Sequence, residues 1–89
     1  MNIQLNNIGD KIIIDIRSES QYLSGHIPGS INIVENKLLL MPEQYLDKDK
    51  KYVIYCDHGY RSYKVSNYLV SKGYNVYTLD GGYQSYLQM

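Results

Sequence analysis

Apolar residues in this chain fall into short unbroken runs separated by stretches with helical spacing. Lys11-Ile12-Ile13-Ile14-Asp15-Ile16-Arg17 is a continuous β-branched run, the pattern of a strand covered on both faces, as in a parallel sheet. Shorter runs at 31–34, 51–55 and 74–79 predict three more strands. Between them, Ser18 can cap a short helix over 19–23 that has Tyr22 and Leu23 to bury and is stopped by Gly25. A helical patch at 37–41 follows, with Pro42 either ending it or opening a turn at 43–46. Residues 60–72 carry Val65, Tyr68 and Leu69 at the i, i+3, i+4 spacing of a buried helix face, and Gly73 is placed as its C′ residue. Asp80-Gly81-Gly82 reads as a turn before a closing helix at 83–87. The first ten residues, anchored by Ile3, Leu5 and Ile8, predict only a short edge element.

Strand and helix thus alternate, which predicts an α/β fold: a small three-layer α/β/α domain with a mostly parallel central sheet. Right-handed crossovers bring the C-terminal ends of such strands to one edge, where ligand sites of open sheets gather. The strand ending in Asp15 and Arg17 and the strand ending before Cys56 could then share a site.

Size and charge narrow the function. At 89 residues the chain reads as one domain, residues 1–89, and folding at this size hides only about 60% of the unfolded surface. Nine basic and nine acidic residues cancel, and the charge run Asp47-Lys48-Asp49-Lys50-Lys51 is mixed in sign. Neither nucleic acid nor a membrane is an expected partner. No signal-peptide pattern and no run near the roughly 20 apolar residues of a membrane span is present, so a cytoplasmic location is expected. All eleven aromatic residues are tyrosine and alanine is absent, a compositional bias of little functional weight. A single cysteine excludes an internal disulfide, an internal Cys-x-x-Cys pair and a multi-cysteine metal site. The two histidines lie in separate loops and give no ligand spacing, so no metal or cofactor is expected.

That cysteine holds the chemistry. Cys56-Asp57-His58-Gly59-Tyr60-Arg61-Ser62 follows an apolar strand and precedes the longest helix pattern, placing the thiol in a tight turn. Inward-pointing amides, the positive end of a helix dipole and the charge of Arg61 all favour thiolate there.

Three blocks resemble a known family. Asp15-Ile16-Arg17, followed by a short helix and Gly25-His26-Ile27-Pro28-Gly29-Ser30-Ile31-Asn32, is similar to the N-terminal signature of rhodanese-like domains. Cys56 to Ser62 resembles that family's active-site loop, C-x-x-G-x-R-S, and Leu79-Asp80-Gly81-Gly82 its closing motif. The blocks occur in family order across nearly the whole chain. Two departures stand out: Tyr86 occupies the place of a common tryptophan, and Asp57 puts an acid where thiosulfate-using members often carry positive charge.

The resemblance implies a sulfurtransferase working through a Cys56 persulfide. It implies a small-molecule sulfur donor such as thiosulfate, a thiol acceptor that could be a sulfur-relay protein, and no cofactor. Gly59 would let the loop curl at positive φ, and Arg61 would bind an anionic donor, lock the loop through its carbonyls, or both. Ser62 is expected to bond a backbone amide at the helix start. His58 could add charge beside the thiolate or merely pair with Asp57 on the surface. Tyr60, with Tyr63, would flank the pocket mouth, as substrate contact or as plain surface tyrosine. His26 is expected to fix backbone rather than act as a base, and Asp15 and Arg17 to hydrogen-bond around the loop. Two rivals remain. Related dual-specificity phosphatases have a loop one residue longer between Cys and Arg, so the four residues between Cys56 and Arg61 favour a sulfane sulfur over phosphate. A thiol sensor or docking module would share the reactive cysteine and lack turnover.

Overall fold

The computed structural model describes residues 1–89. Five strands, β1 (Asn2–Ile3), β2 (Ile12–Asp15), β3 (Ile31–Asn32), β4 (Lys51–Tyr55) and β5 (Asn75–Leu79), form one sheet in the order β1-β5-β4-β2-β3. Every pairing is parallel. Four α-helices cross between or close the strands: α1 (Glu19–Ser24), α2 (Glu35–Leu40), α3 (Tyr60–Ser71) and α4 (Gly82–Leu87). None is long and apolar enough to cross a membrane.

The β-branched runs form strands here because both faces of the sheet are covered. Alternation along β4 sends Tyr52 and Ile54 into a core with Ile14, Ile16, Leu38, Val65 and Leu69, under α2 and α3. Val53 and Tyr55 point the other way, to Ile27 and Leu79, against Leu5, Tyr83 and Tyr86. Two apolar layers around one sheet give the expected α/β/α arrangement.

Helix faces depart from the apolar pattern in three places. Leu23 is 73% exposed, and Leu40 within the 37–41 patch is likewise exposed, although Leu38 is fully buried. In α3, Val65 and Leu69 are buried but Tyr68 is 42% exposed, and its place against the sheet is taken by Ser62 and Ser66. Small side chains let α3 approach the sheet closely. Ser66 Oγ donates to the Val76 carbonyl at 3.3 Å and Thr78 Oγ1 donates to the Ser62 carbonyl at 3.2 Å. The polar atoms that close approach buries are thereby satisfied. The 31–34 strand also shortens to two residues, because Val34 already caps α2.

α1 has a capping box. Ser18 Oγ accepts from the Gln21 amide, and the Gln21 side-chain oxygen accepts from the Ser18 amide, each at 3.3 Å. This reciprocal pair fixes where Gln21 projects.

Candidate active site

β2 and β4 are neighbours, with Asp15 opposite Tyr55 at their C-terminal ends. The chain leaving β4 turns at Cys56 and enters α3 through Gly59, whose φ of 98° lies in the left-handed region. That conformation aims amides inward. Cys56 Sγ accepts from the Gly59 amide at 3.2 Å and from the Ser62 amide at 3.4 Å, and Ser62 Oγ lies 3.5 Å away. Burial pushes the thiol pKa up, but the Ser62 hydroxyl and the amides of Ser62, Gly59 and Arg61 outweigh it, so the net shift is below the ordinary thiol value. The sulfur is buried, and the loop donors make its thiolate easier to form than that of an ordinary cysteine.

Ser62 therefore does more than the expected helix-start bonding, since its hydroxyl lies 3.5 Å from the sulfur beside its own amide and also favours the thiolate. Ser62→Ala is expected to move the pH profile of Cys56 alkylation by iodoacetamide to higher pH. Below the wild-type pKa the variant reacts more slowly, and at pH above both pKa values the two rates converge. Superimposable profiles would show that the amides alone set the thiolate.

The paired glycines serve the loop from α4. Tyr83 and Gln84 amides donate to the Cys56 and Asp57 carbonyls at 2.8 and 3.0 Å. Such an approach requires glycine at 82, where φ is +60° and a Cβ would lie 2.5 Å from the Cys56 carbonyl oxygen and 2.7 Å from that of Asp57. Gly82→Ala must push the loop or α4 away. We expect a loss of about 1–3 kcal/mol of stability, together with slower Cys56 alkylation at neutral pH, checked by urea unfolding and the same iodoacetamide assay.

Beside the loop lies a buried polar hub. Asp15, fully buried, accepts from the Arg17 amide at 2.8 Å, from Arg17 Nε at 3.1 Å, from Nη2 at 2.8 Å and from the Tyr55 hydroxyl at 2.7 Å. Tyr55 Oη also accepts from the Ile27 amide at 3.1 Å and sits 3.1 Å from Ser30 Oγ. Burial is the main cause that pushes the Tyr55 phenol up to about 12, with Asp15 adding to the rise, so it remains a neutral donor. For the Arg17 guanidinium, burial opposes the charge, but the hydrogen bond and charge of Asp15 prevail and hold it above the ordinary arginine value. The cation stacks 4.2 Å over the Tyr83 ring and its Nη2 donates to the Gly25 carbonyl at 2.6 Å. Asn32 completes the hub by donating to the carbonyls of Asp15 and Arg17 at 2.9 and 3.1 Å.

Arg17 reaches the loop through Nη1, 3.5 Å from Asp57 Oδ1. Gln21 Nε2 donates to Asp57 Oδ2 at 2.9 Å. The Asp57 carboxylate is thus held against Arg17 and α1, and it does not pair with His58. His58 and Tyr60 are exposed and wall a pocket of about 120 Å³ with Arg17, Cys56, Asp57 and Arg61. They also border a larger groove of about 440 Å³ that takes in Tyr63 and Lys64.

Arg61 corrects one expectation. Its guanidinium, 67% exposed, does not bond the loop carbonyls but pairs with Glu35 through Nε and Nη2, both at 2.8 Å. The α3 geometry that brings the Arg61 amide to the sulfur turns its side chain toward α2. His26 lies away from Cys56: its ring stacks on Tyr22 with centroids 3.8 Å apart, and Nδ1 is 2.7 Å from the Tyr22 carbonyl oxygen. Gln21, Tyr55 and Glu35 were not singled out by motif. Only Tyr55 carried a signal, as a hydroxyl in an otherwise apolar buried strand that must find a partner.

A family model described as rhodanese-like domain matches residues 3–89. The chain is 35% identical over 80 residues to a thiosulfate sulfurtransferase GlpE of Pseudoalteromonas translucida, covering 86% of this chain and 73% of that one. It is 33% identical to a thiosulfate sulfurtransferase GlpE of Shewanella oneidensis, covering 94% and 83%. Among solved structures, a rhodanese-related protein from Thermoplasma volcanium superposes with a TM-score of 0.87 at 32% identity, covering 98% of this chain and 90% of that one.

Proposed function

The chain belongs to the rhodanese-like domain family, and from that premise we propose that it is a sulfurtransferase that carries sulfane sulfur as a Cys56 persulfide. The observation that supports this most is the buried sulfur under convergent donors from Gly59 and Ser62. A thiolate so held is a nucleophile without any adjacent base. It attacks the outer sulfur of a donor such as thiosulfate, the new S–S bond forms, and sulfite leaves with the electrons of the old one. An acceptor then attacks the outer sulfur of the persulfide and Cys56 leaves as thiolate. The same amides serve the thiolate and the persulfide anion, so both resting states are stabilised by one loop.

Partners on this reading are a small-molecule donor and a thiol acceptor, with a sulfur-relay protein as one form of the latter, in the cytoplasm. The test is intact mass spectrometry after incubation with thiosulfate. The expected product carries one additional sulfur atom, and cyanide removes it. Continued thiocyanate production with both substrates present marks an enzyme, whereas a single modification without cycling marks a thiol sensor. Faster cleavage of an aryl phosphate than transfer of sulfur would replace this reading with phosphatase chemistry.

A further inference from the structure

The donor can be narrowed, on the premise that the sulfurtransferase reading holds. Two arginines border the thiol pocket, and each guanidinium already faces a carboxylate. Arg17 is held by Asp15 at 2.8 Å and Asp57 at 3.5 Å, and Arg61 by Glu35 at 2.8 Å. Two cations facing three carboxylates leave the polar surroundings of the thiol with a formal excess of one negative charge. Lys64 lines the groove beyond Tyr60 and not the thiol pocket. His58 remains as the one further basic side chain on the rim, with no carboxylate partner.

Thiosulfate is a dianion and expels a second dianion, sulfite. Attack by a thiolate places three negative charges together in the transition state, and Arg61, the exposed cation best placed to meet them, does so with its charge already offset by Glu35. An organic persulfide with an uncharged R group brings at most one negative charge, as R–S–S⁻, and none in its electrophilic form, R–S–SH. We propose that this pocket selects low-charge organic persulfides over thiosulfate, and that Glu35 is the specificity-determining residue, acting by holding Arg61. In the reaction, Cys56 thiolate attacks the outer sulfur, the Sγ–S bond forms and the donor S–S bond breaks. R–S⁻ leaves with the bonding pair, and the proton that arrived on the transferred sulfur passes to solvent, leaving the Cys56 persulfide anion. The two sides balance in atoms and charge, and no external oxidant or reductant enters.

The test compares initial rates of sulfur loading on Cys56, by intact mass, from thiosulfate and from hydroxyethyl persulfide at equal concentration. Wild type is expected to load about tenfold or more faster from the persulfide, the scale set by like-charge opposition at a site. Glu35→Gln releases Arg61 and is expected to raise the thiosulfate rate about fivefold relative to the persulfide rate. Glu35→Asp keeps the charge and is expected to hold the wild-type ratio. The proposal is overturned if Glu35→Gln changes both donor rates by the same factor, as mere loosening of α2 would, or if wild type loads faster from thiosulfate. Loading from neither donor overturns the sulfurtransferase reading itself, and this inference with it.

Discussion

Replacing Cys56 by serine is expected to abolish sulfur loading while leaving the fold intact. The hydroxyl keeps the shape of the thiol and can take up the same donors from Gly59 and Ser62, so stability should change by no more than about 1 kcal/mol. What is lost is the nucleophile. A serine hydroxyl stays protonated at neutral pH, and no basic side chain hydrogen-bonds this position: its partners are Gly59 and Ser62, His26 is stacked on Tyr22 away from the sulfur, His58 stands exposed on the pocket rim, and the Asp57 carboxylate is held by Arg17 and Gln21. Removing the attacking atom of a covalent mechanism costs at least about 10³-fold in rate. Cys56 is the only cysteine, so the mass spectrum of Cys56→Ser after thiosulfate should show no sulfur adduct at all. An adduct of equal size on the variant would place the sulfur elsewhere and end the persulfide proposal.

The largest effect on stability is expected from Asp15→Ala. This carboxylate is fully buried and is the main partner of a nearly buried arginine and of the Tyr55 hydroxyl. Without it Arg17 keeps the Gly25 carbonyl and the long contact to Asp57, which do not compensate a buried cation. Breaking such a pair from one side costs about 3–5 kcal/mol, out of the roughly 5–15 kcal/mol that holds a typical domain folded. Tm should fall by more than about 12 °C. Asp15→Leu combined with Arg17→Met removes both charges and should recover much of the loss, since apolar replacement of a whole buried pair is often neutral. Circular dichroism melts of the single and double variants check this. A single variant within about 1 kcal/mol of wild type would show that water takes the place of the carboxylate.

The strands were legible because both faces of a parallel sheet are covered, so a local run such as Ile12-Ile13-Ile14 already carries the full signal. Helix faces were less so. Leu23 and Leu40 look like core residues in sequence and are exposed, because the short helices α1 and α2 bury only part of their turns. At α3, Ser62 and Ser66 displaced Tyr68 from the sheet, since distance of approach, not hydrophobicity, chose the small residues. The Cys56 loop itself was readable from its glycine and its place between strand and helix, both local properties.

Charge partnerships were not readable. Asp57 looked like an acid set beside a thiolate, but it is separated in sequence by 40 residues from Arg17 and by 36 from Gln21, which hold it. Arg61 was expected to meet an anionic donor, the loop carbonyls or both, yet it is paired with Glu35, 26 residues away. The sequence alone determined an α/β chain with one cysteine in an amide-lined turn, because hydrophobic period, glycine and cysteine act within a few residues. Only the tertiary structure decided which charges face that sulfur, because a carboxylate's partner depends on which strand ends lie side by side and which helix packs over them.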